Sequence, residues 1–318
     1  MFGSVKTYLA EDWEAFEKLF EESIVSDVNI LDKVNHYIAE HGGKQLRPML
    51  CLLFARLAGG ECNCNSIRCA VASEMIHTAT LMHDDVADES SVRRGFPTLN
   101  ALLNPTAAVL VGDYWLSRGV SVLLDTGDSE IFRYFTICLG DLAKGEMFQI
   151  EKASALDTTY GDYIYIIAHK TASLFAAAMK SGVHSVTCDE AKIGAAGEFA
   201  YHLGLAFQMR DDILDYSPQL AIGKPTGQDI KERKITIPLI GALQNAPEAE
   251  RRSLLADVDA EKYDDVLPFV QKYGGIGYAQ KMLREQTSAA VAALEAFAPC
   301  RARDLLCSLA ESLTLRNK

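Results

Sequence analysis

Sustained apolar–polar alternation is scarce in this chain of 318 residues, which leaves little material for a sheet and excludes the all-β classes. No apolar run has the length that spanning a bilayer requires, so no membrane-crossing helix is expected. Basic side chains are the minority, 31 Lys and Arg against 43 Asp and Glu for a net charge of −12, which disfavours nucleic acid and an anionic membrane surface as partners. The eight cysteines (51, 62, 64, 69, 138, 188, 300, 307) lack the spacing of a disulfide framework. No secretory leader precedes them, and reduced thiols in the cytoplasm are expected. Cys62-Asn63-Cys64 with Cys69 has no fourth ligand at zinc spacing and reads as a loop followed by a helix start. Low-complexity segments and linkers are missing too, so residues 1–318 read as one domain.

What is present is helical. With 49% hydrophobic residues the chain can bury a sizeable core. Runs such as 191–215 and 280–298 carry apolar residues at helical spacing among Ala, Leu, Met, Glu and Lys, and predict an all-α protein of about a dozen helices. Loops are expected at 59–63, 125–128, 155–158, 181–187 and 245–247, with caps at Asn65-Ser66, Asp128-Ser129 and Thr187. The longest irregular stretch, 216–228, holds Pro218, Gly223, Pro225 and Gly227 and reads as a lid or binding loop.

Two copies of Asp-Asp-x-x-Asp, Asp84-Asp85-Val86-Ala87-Asp88 and Asp211-Asp212-Ile213-Leu214-Asp215, close long apolar helical runs. Residues four apart share a helix face, so Asp84 with Asp88 and Asp211 with Asp215 place carboxylates roughly 6 Å apart along the axis. One acidic cluster is ordinarily a solvated face. Two, each emerging from a segment that reads as buried, predict a cation between like charges. Mg²⁺, shared among carboxylates, water and substrate phosphates, fits that pattern and points to diphosphate chemistry.

Diphosphates need cations as well, and these stand at separated points. In Gly42-Gly43-Lys44-Gln45-Leu46-Arg47-Pro48, two glycines precede a point charge and a guanidinium fork. Arg93-Arg94-Gly95 follows the first aspartate motif, Lys170-Thr171 interrupts an apolar helix, Lys224 lies in the irregular stretch and Arg233-Lys234 follows it. A lone lysine is usually a snorkelling surface residue. As a set beside two aspartate motifs, these residues read as receptors for two diphosphates.

These motifs, together with Ile76-His77-Thr78-Ala79-Thr80-Leu81-Met82-His83 before the first aspartates and Phe207-Gln208-Met209-Arg210 before the second, resemble in order and spacing the trans-polyprenyl diphosphate synthases. The likeness is closest to the long-chain, octaprenyl-type members and covers nearly the whole chain. It implies an isoprenoid synthase-type bundle of antiparallel helices around a deep central cavity, working as a homodimer. Carried over by position, Gly43, Lys44, Arg47, His77 and Arg94 would bind isopentenyl diphosphate. Arg93, Lys170, Thr171, Gln208, Lys224 and Lys234 would hold an allylic diphosphate. Asp84, Asp88 and Asp211 would bridge about three Mg²⁺ ions, with Asp85, Asp212 and Asp215 in support. Gln228 and Arg233 depart from the family's usual residues, while Asp229 and both lysines are kept.

The implied reaction is head-to-tail elongation of farnesyl or geranylgeranyl diphosphate by isopentenyl diphosphate, with at most transient membrane contact as product leaves. Short-chain relatives set an aromatic residue four or five positions before the first motif. Here Ala79 and Thr80 stand there, with Ile76 and Ser73 one and two turns below, which predicts an open tunnel and a hexaprenyl to decaprenyl product. A class I terpene cyclase would share the ionisation chemistry but need no second diphosphate receptor. A non-catalytic partner subunit would be free to lose an aspartate or an arginine, and none is missing.

Overall fold

A computed structural model describes residues 2–216 and 227–314. The chain runs α1 (Phe2–Ile24), α2 (Asn29–Glu40), α3 (Leu46–Gly59), α4 (Cys64–Ala87), β1 (Val92–Arg93), β2 (Phe96–Pro97), α5 (Leu99–Leu102) and α6 (Pro105–Leu124). It continues through α7 (Ser129–Ala155), α8 (Tyr160–Ile167), a π-helical turn (Ala168–Ala172), α9 (Ser173–His184), α10 (Glu190–Asp215) and α11 (Gln228–Lys231). The last helices are α12 (Ile237–Asn245), α13 (Glu248–Asp259), α14 (Val266–Lys272), α15 (Gly275–Ala293) and α16 (Arg301–Thr314), a short 3₁₀ turn lying between the final two. Among the described residues the only strands are the two-residue pair β1–β2, as the scarcity of alternation requires.

The helices form two compact units, one of Met1–Thr136, Ala177–Ala196 and Phe297–Leu306, the other of Ile137–Ala176, Gly197–Ala296 and Cys307–Lys318. Their boundaries fall inside helices α7, α9, α10 and α16, which is why no linker composition marks them. In the first unit Val5, Leu9, Trp13, Phe16 and Phe20 form one buried stripe of α1. Trp115 of α6 meets Phe20 edge-on and donates its indole N–H to Asn35, whose own amide caps the carbonyl of Ile24. Each such ring buried contributes on the order of 2–3 kcal/mol. The second unit packs Leu205, Met209 and Ile213 of α10 against Ile237 and Ile240 of α12, Val270 of α14 and Leu283 of α15.

Three expectations need correction. Ser181 and Gly182 are helical, because a Cβ at Gly182 would fall 2.3 Å from the Cys51 carbonyl oxygen and glycine lets α3 and α9 meet there. Caps sit one or two residues from the expected places: Asn63 caps α4 in a reciprocal box with Ser66, and the Asp189 carboxylate receives the amides of Ala191 and Lys192. Asp128 does cap α7 through Glu130 and Ile131. Finally, α6 is long and apolar enough to cross a membrane, although Asp113 and Arg118 stand in it and α4 packs along it. All eight cysteines are free thiols.

Candidate active site

In the first unit, α4 is buried for most of its length and delivers its carboxylates at the end, Asp84 and Asp85 in its last turn and Asp88 as its C-cap. Glu89, with φ of 49°, turns the chain into the β1–β2 hairpin, where Arg93 pairs with Phe96. The two turn residues, Arg94 and Gly95, have φ of 54° and 84°, the left-handed pair that a two-residue hairpin loop demands. This loop aims two neighbouring arginines at different groups. Arg93 Nε donates to Asp85 Oδ1 at 2.8 Å, and it opposes the rise that burial imposes on that carboxyl. Arg94 lies over the backbone of Gly43, where a Cβ would sit 2.5 Å from both terminal guanidinium nitrogens.

Around Gly43 the cations gather. Helix α3 begins there without a side-chain cap, Gln45 standing at its N-cap with φ of 51°, so its first amides and the positive end of its dipole are left for an anion. Arg47 occupies the first turn of α3, and Lys44, exposed, precedes it. His77 of α4 faces the same group: burial first, then Arg47, Arg94 and Arg93, hold its pKa well below 6.5. The ring is therefore a neutral N–H donor. One turn back, burial pushes the Glu74 carboxyl up to about 7 against the pull of Arg47 and Arg94.

In the second unit, the π-helical turn carries Lys170 and Thr171, so the expected simple interruption of a helix is a change of winding. Gly145 of α7 and Gly204 of α10 admit it: a Cβ would lie 2.9 Å from His169 Cβ at the first and 2.5 Å from Ala172 Cα at the second. Lys170 is ion-paired with Glu146, and Thr171 Oγ1 donates to Gln208 Oε1 at 2.9 Å. Gln208 Nε2 and Tyr163 Oη donate to the two oxygens of Asp212, at 2.9 and 2.6 Å. Asp215 takes the amides of Gln228 and Asp229, each at 3.1 Å, one per oxygen. Burial first raises the pKa values of Asp212 and Asp229; Tyr163 and Gln208 oppose this at Asp212 while Asp211 and Asp215 add to it, and at Asp229 repulsion from Asp212 and Asp215 adds to it while Lys234 opposes it. These side chains line a cavity of about 120 Å³ with Lys170, Thr171, Gln208, Asp212, Asp229 and Lys234 on its wall. Arg233 is taken up elsewhere, by Asp259 and the carbonyl of Ala153.

Thus Gly43, Arg47, His77 and Arg94 come together in one unit, and Lys170, Thr171, Gln208, Asp212 and Lys234 in the other. Lys224 lies outside the described residues. Of the tunnel positions, Ser73, Ile76 and Ala79 are fully buried, and Thr80 is partly open, its hydroxyl on the His77 carbonyl. The accessible stripe of α4 is His77, Thr80, Leu81 and Asp84. Among the described residues no three acidic, His or Cys side chains converge closely enough to bind a metal alone. Asp88 and Asp211 are exposed and Asp84 is half-buried, hard-oxygen carboxylates of the type Mg²⁺ takes one or two of beside water and phosphate oxygens.

A polyprenyl synthetase family model matches residues 28–271. The chain belongs to the polyprenyl synthetase family. It is 38% identical over 306 residues to an all-trans-nonaprenyl-diphosphate synthase (geranyl-diphosphate specific) of Rhodobacter capsulatus, covering 95% of this chain and 94% of that one. The octaprenyl diphosphate synthase of Escherichia coli is 32% identical, with 97% of each chain covered. The crystal structure of a decaprenyl diphosphate synthase from Rhodobacter capsulatus superposes with a TM-score of 0.93 at 36% identity, each chain covered in full. The isoprenoid synthase fold that the motifs imply is therefore the fold of this polyprenyl synthetase.

Glu74, Glu146 and Tyr163 were not singled out from sequence. Glu74 had a usable signal, a lone charge in an apolar run three residues before His77. Tyr163, two turns before Lys170, and Glu146, on another helix, had none.

Proposed function

We infer that this protein is a chain-elongating prenyltransferase that condenses isopentenyl diphosphate head to tail with an allylic diphosphate, giving a long all-trans polyprenyl diphosphate of hexaprenyl to decaprenyl length. The observation that carries this reading is the presence of two separate cationic receptors, each beside its own aspartate motif. A terpene cyclase would need only one.

The receptor at Gly43 takes isopentenyl diphosphate. Arg47 and Arg94 supply forks, Lys44 a point charge, the start of α3 its amides and His77 a neutral N–H. The cavity of the second unit takes the allylic diphosphate on Lys170, Thr171 and Lys234. Mg²⁺, bound through Asp84, Asp88 and Asp211, would supply charge neutralisation that lets pyrophosphate leave. Lys170 and Lys234 meet charge that grows on the leaving group, so their contribution is larger in the transition state than in the ground state. The Gln208 carbonyl faces the allylic cation without reacting with it. The double bond of isopentenyl diphosphate, held by its own receptor, then attacks that carbon in a geometry set by binding. The final proton goes to the released pyrophosphate, the role that the family resemblance implies for it. The lengthening tail runs from Asp84 back along α4, and Ala79 and Thr80, then Ile76 and Ser73, decide how far it extends. Farnesyl or geranylgeranyl diphosphate is the primer, the reducing cytoplasm the compartment and a homodimer the working form.

Titrating each substrate against excess of the other tests the two receptors. Arg47→Ala or Arg94→Ala is expected to raise KM for isopentenyl diphosphate roughly ten-fold or more and leave the allylic KM within about two-fold, and Lys170→Ala to do the reverse. Equal effects on both substrates would contradict the assignment.

A further inference from the structure

Asp212 has a protein donor on each oxygen, Tyr163 Oη at 2.6 Å on Oδ2 and Gln208 Nε2 at 2.9 Å on Oδ1. Tyr163 and Asp212 are 3% and 4% exposed, and both stand on the lining of the cavity. With the Tyr163 hydroxyl on Oδ2, the free oxygen Oδ1 takes the Gln208 nitrogen, which fixes which end of that amide faces Asp212. The other end, Oε1, is left to receive the Thr171 hydroxyl at 2.9 Å. Tyr163 itself has no competing role: burial and the adjacent Asp212 charge hold its phenol protonated. A relay of Tyr163, Asp212, Gln208 and Thr171 thus runs along the cavity wall.

We propose that Tyr163 is a positioning residue for the prenyl transfer: by donating to Asp212 it locks the Gln208 amide with its carbonyl oxygen, not its N–H, on the Thr171 side of the cavity. A carbonyl there attracts an allylic cation, and an N–H repels one. The inference rests on the reading that this cavity binds the allylic diphosphate. It also gives the middle aspartate of the second motif a task other than metal binding, since neither of its oxygens lacks a donor.

The test is a double-mutant cycle in steady-state kinetics on the full chain. Tyr163→Phe is expected to lower kcat roughly ten- to hundred-fold with KM for isopentenyl diphosphate unchanged. In a Gln208→Ala background the same substitution is expected to lower kcat by less than about two-fold, because the group it acts through is gone. A general loss of packing would act equally in both backgrounds. An equal loss in both, or wild-type kcat in Tyr163→Phe, overturns the proposal. Should Tyr163→Phe not fold, Asp212→Leu serves: it removes the oxygen that holds the Gln208 nitrogen, and wild-type kcat there would likewise overturn it. Lys170→Ala run alongside separates the two ideas. If it raises the allylic KM while Tyr163→Phe is inert, only the relay fails. If Lys170→Ala leaves that KM unchanged, the cavity is misassigned and the relay falls with it.

Discussion

In the second aspartate motif each carboxylate meets different surroundings: Asp211 is exposed, Asp212 is held by two side chains, and Asp215 receives the first amides of α11. The consequences of removing them differ accordingly. Asp211→Ala, like Asp84→Ala in the first motif, is expected to cut kcat by about a thousand-fold or more with the fold kept, since a carboxylate that would hold Mg²⁺ is lost. Asp215→Ala is expected to destabilise the fold by about 1–2 kcal/mol, the range for a lost cap. Thermal melts with parallel kinetics check both, and Asp211→Ala at near-normal turnover would remove the motif from the mechanism. Glu74 gives a pH test on substrate-free protein. Its carboxyl, at 4.5 when unperturbed and about 7 in place, binds its proton more tightly in the folded state. Stability from this group is thus complete below pH 4.5 and lost as pH rises through 7. Glu74→Gln removes that loss, so its advantage over wild type is expected to grow from near zero at pH 4.5 to as much as about 3 kcal/mol at pH 8. A pH-independent difference would contradict it. Residue types at both motifs were legible in the sequence. Which oxygens are already occupied was not, because helix spacing says which side chains share a face and nothing about donors on other helices.

At the scale of elements, the hairpin and the start of α3 form one device. The two left-handed turn residues send Arg94 over Gly43, and the guanidinium fills the space a Cβ would need. The conflicting atoms are the far end of a flexible side chain, so Gly43→Ala is expected to displace Arg94 rather than strain the backbone. KM for isopentenyl diphosphate should rise roughly ten-fold while stability changes by less than about 1 kcal/mol. An unchanged KM, or an equal rise for the allylic substrate, would show that Arg94 acts elsewhere. The sequence announced these glycines and arginines but not their contact, which joins residues 43 and 94 through turn geometry. The π-helical turn was equally hidden: Ala168–Ala172 carries ordinary helix formers, and its winding follows from packing near Gly145 and Gly204. Helices α10 and α15 were plain from the apolar spacing of 191–215 and 280–298, and short α11 was not.

At the scale of the whole molecule, a chain whose described residues are helical but for one short hairpin holds two compact units, and each brings one aspartate motif and one set of cations. Positional motifs identified the family before any coordinates, because diphosphate chemistry leaves charged residues in segments that are otherwise apolar. Chain length is less visible, since it depends on where a tunnel closes: Ala79 is small but fully packed, whereas Thr80 lies on the open stripe of α4. The account's central claim is that the two receptors serve repeated elongation. It is tested most directly by incubating the purified protein with labelled isopentenyl diphosphate, farnesyl diphosphate and Mg²⁺ and sizing the products by chromatography. Products from hexaprenyl to decaprenyl diphosphate are the expected result. Termination at geranylgeranyl diphosphate, or no transfer of label into a longer chain, would contradict it.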